Sequence, residues 1–393
     1  MPIKNRFAEL QPQIAAWRRD IHAHPELGYD THRTSALVAE QLKSFGCDEI
    51  ATGIGRTGVV GVIRGKTDTS GRAIGLRADM DALPMLEQTG VDYASTEDGK
   101  MHACGHDGHT AMLLGAAQYL CETRNFDGTA VVIFQPAEEG GGGGREMCQD
   151  GLMARFGIQE VYGMHNWPGM DVGSFAIRSG IFFAATDLFE IEVEGKGGHA
   201  AKPHETIDPT VVTSHIILAA QSIASRNADP VGQIVVSVTG METSSQAFNV
   251  IPQTVRLRGT VRTMSNEMRD LAETRLTQLA TGVAESFGAV ARVQYNRNYP
   301  MTVNTPDQTD FAAQVASTVS GNCAEANLVM GGEDFSYMLE ERPGAYILMG
   351  NGNSVALHHP EYNFDDDAIP AGCSYWAELV EQRLAAARPV RLT

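Results

Sequence analysis

The stretch Met101–Ala111 reads MHACGHDGHTA, which puts three histidines, one cysteine and one aspartate into eleven residues. A cysteine two places before a histidine, Cys104 and His106, can be a redox thiol, a nucleophile beside its base, or part of a metal site. Other stretches carry the same class of side chain. LRADMDALP closes an apolar run with Asp79 and Asp81. VVIFQPAEEGGGG runs from a buried-type strand straight into Glu138 and Glu139, and VYGMHNWPG ends a short apolar run at His165. In open α/β sheets, ligands gather beyond the carboxyl ends of the strands. Packing alone gives no reason for several strand ends to carry Asp, Cys, His and Glu.

Plainer roles compete at some of these positions. His22, His24, His32 and His215 read as structural or solvated histidines. His102 and His109 read either as metal contacts or as groups that orient the ligands. Asp107, beside the start of a helical run, has an N-cap as its simplest role. Glu138 and Glu139 are harder to explain away. Two adjacent carboxylates at the end of a buried run are costly unless a cation compensates them. A nucleophilic Cys104 would leave the glutamates, His165 and the histidines of LHHPEY without a task. Cys104, His106, Glu139, His165 and one histidine of LHHPEY make five candidate ligands, more than one cation needs. That number suggests two metal ions sharing a bridging ligand. Thiolate and imidazole suit zinc, manganese, nickel or cobalt. With Glu139 as a ligand, Glu138 is free to act as general base on a water that the metals acidify.

The elements that must position these groups follow from length and pattern. A chain of 393 residues with 43% hydrophobic residues is globular and long enough for two domains. The net charge of −18 argues against nucleic acid and anionic membranes as partners. No apolar run approaches the roughly 20 residues needed to span a bilayer. The start has no signal-peptide pattern, and the six scattered cysteines have no disulfide spacing, so a reduced, cytoplasmic protein is expected.

FAELQPQIAAWRRDIHAHPE, SALVAEQLKSFGC (with Gly46 as its stop) and GHTAMLLGAAQYLCETR have helical patterns. GVVGVIRG, AIGLRADMD and TAVVIFQPAEE alternate with them as buried-type strands. That alternation predicts an α/β catalytic domain with a mostly parallel sheet. Between Asp187 and Tyr299 the order becomes β-α-β-β-α-β, with a helix opened by Ser265 and Glu267, which predicts an inserted ferredoxin-like α+β domain. The expected division is 1–186 and 300–393 for the catalytic domain and 187–299 for the insertion.

Taken together, GLRADMDALPM, MHACGHDGHTAMLLGAA, QPAEEGGGG, MHNWP, GKGGHAAKPHETIDP, NVIP, GGEDFSYM and LHHPEYNFDDDAI resemble the amidohydrolase branch of the aminoacylase and carboxypeptidase metallohydrolases. That branch includes hippurate hydrolases, N-acyl-amino-acid deacetylases and indole-acetyl-amino-acid hydrolases. The resemblance keeps the motif order over nearly the whole chain. It implies Cys104 as bridging ligand, His106 and His165 on one metal, and Glu139 and His358 on the other. It implies Glu138 as catalytic base and Asp81 as the acid beside the metals. Asp79 stands where the wider superfamily has a ligand histidine.

The resemblance further implies that the inserted domain makes a homodimer or homotetramer. His199 would stabilise the oxyanion, and Asn249 would join it or bind the substrate carboxylate. The expected activity is hydrolysis of a small N-acyl amino acid, carrying an acetyl, benzoyl or indole-acetyl group, with two divalent cations (zinc, manganese, nickel or cobalt). A dipeptidase or carboxypeptidase of the same superfamily is the alternative, with Glu333 or Asp334 meeting a free amino group. A non-catalytic metal-binding protein is the second alternative. Phe182 and Phe183 read either as lining of an acyl pocket or as core.

Overall fold

The computed structural model describes residues 4–385. The chain divides into two compact units. The first comprises the residues up to Gly180, Val303–Asn327 and the residues from Asp334 on; the second comprises Ile181–Thr302 and Leu328–Glu333.

The first unit holds an eight-stranded, mostly parallel sheet. Its four central strands, Thr129–Gln135, Ala73–Asp79, Glu160–Trp167 and Gly344–Gly350, lie side by side in that order and run parallel. They are buried along nearly their whole length, as strands covered on both faces must be. Antiparallel pairing enters toward the edges. Gly58–Arg64 and then Glu49–Ile54 extend one side, while Phe175–Ile177 pairs antiparallel to Gly344–Gly350 on the other.

The common direction of the central strands has a functional consequence. Asp79 pairs with Gln135, and His165 pairs with Leu348, so these strands all end at one edge of the sheet. Glu138 and Glu139 lie just beyond one of those ends, and His358 follows another.

Helix His106–Thr123 is buried almost all round, as a helix with neighbours on every side should be. Its Leu113 and Leu114 share a core with Ile14 of helix Asn5–Ala23 and Trp376 of helix Ile369–Arg383. A Cβ at Gly115 would lie 2.4 Å from Ile14 Cδ1, so glycine permits this close approach. Helix His32–Phe45 stops at Gly46, which adopts the left-handed conformation as its sequence predicts.

The second unit is a β-α-β-β-α-β sandwich. Helices Pro209–Ser222 and Asn266–Ser286 join strands Ala185–Glu194, Ile234–Thr243, Thr254–Thr263 and Val290–Arg297. The sheet is antiparallel, with the first strand between the third and the fourth, which is ferredoxin-like. Alternation in DLFEIEVE turns Phe189, Ile191 and Val193 into the core and leaves Leu188 and Glu190 exposed. The Ser265 hydroxyl accepts the Met268 N–H at 3.2 Å and so caps the second helix. Phe182 and Phe183 are both buried, with their rings 4.7 Å apart. Among the described residues, no helix is long and apolar enough to cross a membrane.

One buried ion pair ties this unit together. Arg269 donates from Nη2 to Asp187 Oδ1 at 2.5 Å and from Nε to both carboxylate oxygens at 3.0 Å. The Tyr295 hydroxyl donates to Asp187 Oδ2 at 2.8 Å. Removing one partner strands a buried charge, which costs about 3–5 kcal/mol. Asp187→Ala is therefore expected to lower stability by about that amount in a denaturant titration, and a loss under about 1 kcal/mol would contradict the pairing.

Candidate active site

The site is built on the turn between Met101 and the helix that begins at His106. Gly105 precedes that helix with φ +85°, a conformation glycine adopts freely. The turn sets Cys104 and His106 facing the strand ends. The Cys104 Sγ lies 3.4 Å from His165 Nε2. Donor atoms of Cys104, His106 and His165 all lie within 4.8 Å of one another, and so do those of Cys104, Glu139 and His358. Cys104 belongs to both groups. Glu138 joins His106 and Glu139 in a third group.

The two imidazoles of the first group are oriented for coordination. His106 Nδ1 donates to the Asp81 carbonyl at 2.8 Å, and His165 Nδ1 donates to the Asn166 carbonyl at 2.6 Å. In each ring Nε2 is therefore the nitrogen left to bind a cation once it carries no proton. His106 Nε2 is buried without a hydrogen-bond partner. An unpartnered buried imidazole nitrogen beside a thiol, a second imidazole and a carboxylate fits borderline divalent cations.

The glutamate turn is strained and clamped. Ala137 has φ +55°, which a residue with a Cβ adopts only at a cost. The Asp81 carboxylate accepts the N–H of Glu138 on one oxygen and that of Glu139 on the other, both at 3.0 Å. His358, also left-handed with φ +64°, reaches Glu139 Oε1 with its Nε2 at 3.2 Å, whereas the His359 ring turns back to accept the Glu361 N–H.

A profile of peptidase family M20/M25/M40 matches residues 75–382. The chain belongs to that family. A hippurate hydrolase of Campylobacter jejuni subsp. jejuni is 41% identical over 94% of this chain and 96% of its own. Thermostable carboxypeptidase 2 of Saccharolobus solfataricus is 39% identical over 94% of this chain and 95% of its own. A Bacillus subtilis dinuclear metal-binding peptidase of the M20 family superposes with a TM-score of 0.83 at 34% identity, covering 97% of this chain and 100% of that one. The M20 chain described here is an enzyme, an amide-bond hydrolase of this family.

In this M20 chain the structure sorts the remaining histidines and acids. His109 donates from Nδ1 to Asp79 Oδ1 at 2.6 Å and accepts the Asn166 N–H on Nε2 at 2.9 Å. It therefore orients other groups. His102 is buried with neither ring nitrogen hydrogen-bonded, and burial pushes it down to about 3. His102 belongs to none of the donor groups.

Asp107 does not cap the helix. Its carboxylate accepts from His22 Nδ1 at 2.8 Å and from Arg18 Nη1 at 3.4 Å, so His22 is a buried ion-pair partner. His199 and Asn249 lie in the second unit, where His199 pairs with Val250 in a short ladder and the Asn249 carbonyl accepts the Ala200 N–H. Both side chains are exposed.

Sequence reasoning missed Arg77, Asn166, Tyr362 and the place of Asp334. Arg77 Nη2 donates to Asp334 Oδ1 at 2.9 Å and Arg77 Nη1 donates to Asp79 Oδ2 at 2.6 Å, all buried. The adjacency of Arg77 and Asp79 on one strand face is the only signal the sequence carries for this pairing.

Charge in the site sets a pH dependence. Burial, then Glu139, Glu138 and Asp79, push the Cys104 thiol well above its ordinary range. Burial resists a charge on His106, but Asp79 and Asp81 outweigh it and raise the imidazole to about 10. At neutral pH the cation-free site therefore holds a proton on each of these groups, and cations must displace both. Filling the site is expected to release about two protons, so divalent-cation affinity should rise with pH by up to about 100-fold per unit between pH 6 and 9. Calorimetric titration in buffers of different ionisation enthalpy counts the protons; an affinity flat across this range would contradict the assignment of Cys104 and His106 as ligands.

Proposed function

We propose that the protein is a dinuclear metal-dependent amidohydrolase that cleaves N-acyl amino acids to a carboxylic acid and a free amino acid. The observation that carries this reading is the sharing of Cys104 between two groups of donor atoms, with the Glu138 carboxyl beside them. Cys104, His106 and His165 would hold one divalent cation, and Cys104, Glu139 and His358 the other. Zinc, manganese, nickel and cobalt all suit this donor set. Once bound, the cations supply Lewis acidity to the amide carbonyl and make water acidic enough to lose a proton near neutral pH.

The chain's own residues do the rest. Glu138 accepts a proton from the attacking water, whose oxygen bonds to the acyl carbon, and delivers it to the nitrogen as the C–N bond breaks. Asp81 holds the backbone of Glu138 and Glu139 and so fixes where the base points. His199 stabilises the oxyanion, and Asn249 holds the substrate carboxylate. The domain 187–299 is inserted between the two parts of the catalytic domain, 1–186 and 300–393, and carries the contact of a homodimer or homotetramer. The protein acts in the cytoplasm.

A second reading, carboxypeptidase or dipeptidase activity on the same machinery, draws support from the similarity to thermostable carboxypeptidase 2. The pairing of Asp334 with Arg77 and Gln135 leaves it poorly suited to meet a free amino group. Acetyl-, benzoyl- and indole-acetyl-amino acids and dipeptides, assayed side by side before and after chelation, separate the readings. Acyl amino acids are expected to turn over best, and chelation to abolish cleavage. Glu138→Gln keeps a ligand set of the same shape and is expected to retain cations while losing roughly 10²–10⁴ in kcat; near-normal turnover by that variant would refute Glu138 as base.

A further inference from the structure

Asn166 follows His165 directly and is fully buried beneath the donor cluster. Its side chain and backbone reach the turn bearing Cys104, the helix bearing His106 and His109, and Tyr362 in the segment after His358. The Nδ2 donates to the Cys104 carbonyl at 2.6 Å and sits 3.0 Å from His109 Nε2. The backbone N–H donates to the same His109 nitrogen at 2.9 Å. His109 passes the contact on to Asp79 at 2.6 Å. The Oδ1 accepts the hydroxyl of Tyr362, which is also fully buried and lies four residues after His358.

Three features show that the arrangement is tightly fitted. A Cβ on Gly105 would lie 2.2 Å from Asn166 Nδ2 and 2.7 Å from the Tyr362 hydroxyl, so the turn between Cys104 and His106 closes directly onto this pair. The His358 N–H donates to the Ala103 carbonyl at 2.8 Å, which stitches the His358 loop to the same turn. Tyr362 packs with Met101 and Ala103 in a small apolar cluster of its own. Without Asn166, the turn bearing Cys104 and His106, the strand bearing His165 and the loop bearing His358 would have far fewer polar links fixing their spacing.

We propose, on the footing of the two-cation reading above, that Asn166 is a positioning residue that locks these three segments in register and so sets the spacing of the two cation sites. It touches neither substrate nor cation. It acts through the Cys104 carbonyl, through His109 and through Tyr362. Groups that orient metal ligands typically contribute 10–100-fold to metal affinity. The amide is needed here because a single planar group must donate on one side, to a carbonyl and an imidazole lone pair, and accept on the other, from a hydroxyl.

The substitution Asn166→Asp separates this role from simple electrostatics. It keeps the size and adds negative charge, which by itself favours cation binding. It also turns an acceptor toward the Cys104 carbonyl and His109 Nε2, which disrupts the register. Affinity for cobalt(II), measured by competition with a chromophoric chelator, is expected to fall about 10–100-fold in Asn166→Asp. A smaller fall is expected in Tyr362→Phe, which deletes one hydroxyl. The sulfur-to-cobalt charge-transfer band and the visible bands should shift in both variants, because the Cys104 geometry changes. The melting temperature of cation-free Tyr362→Phe should stay within a few degrees of wild type.

Wild-type affinity and spectra in both variants would overturn the proposal. So would tighter binding in Asn166→Asp, which would make the position an electrostatic one. A collapse of the cation-free melting temperature in Tyr362→Phe, with cobalt affinity and spectrum intact, would also overturn it and make the cluster ordinary packing. Failure of the wild-type protein itself to bind cobalt would instead sink the two-cation reading.

Discussion

Buried negative charge at the ends of the parallel strands is the constraint on which the first unit depends. Asp79, Asp81, Glu138 and Asp334 are all buried within one small region. Isolated charges there would be prohibitive, so each needs a partner. Arg77 answers two of them, bridging Asp79 and Asp334 while its Nε donates to Gln135 Oε1 at 2.9 Å. Gln135 donates in turn to both Asp334 oxygens, and the Gly144 N–H adds a further bond at 2.8 Å. These contacts fasten the strand ending at Asp79 to the strand ending at Gln135 and to the glycine loop beyond the glutamates. The left-handed Ala137 can persist because the backbone on either side of it is held in this way.

A second buried network anchors the other side of the helix that begins at His106. Arg18 donates to Asp366 at 2.8 Å, and His22 bridges Asp107 and Glu87. Burial resists the His22 charge, but Asp107 and Glu87 outweigh it and raise the imidazole to about 9. That stabilisation is full below the unfolded value near 6.5 and fades as pH rises through about 9. Asp107 is thus fixed by cations of the protein itself, while its neighbour His106 is left for another partner. Adjacent positions of one helix thus have different partners.

Much of this was legible in the sequence, because strand ends and helix starts follow from apolar pattern and punctuation. GHTAMLLGAAQYLCETR and TAVVIFQ announce a buried helix and a buried strand, and both appear with nearly the expected bounds. The metal-type residues were visible because Cys, His and adjacent glutamates have no packing role at such places. What escaped was the set of side chains that act by contact across the fold. Asn166, Tyr362 and Asp334 are ordinary polar residues whose meaning comes from partners 62, 196 and 257 positions away in sequence. No local spacing encodes such a pairing. Asp107 misled for a related reason: a carboxylate in the first helical turn matches the capping pattern, but a buried arginine and histidine compete for it more strongly than backbone N–H groups do.

The carboxylates at these strand ends have different partners. Asp79 and Asp334 share Arg77, and Asp81 spends both oxygens on backbone N–H groups. Glu139 faces His358 and Cys104. Glu138 shares the region with His106 and Glu139, and Asp81 holds its backbone N–H, which fixes the turn that carries its carboxyl. A general base of the kind proposed for Glu138 needs its geometry fixed in this way. Buried charge at the strand ends is thus distributed by partner: Arg77 holds Asp79 and Asp334, backbone N–H groups hold Asp81, and Glu138 and Glu139 lie with His106 in one group of donor atoms.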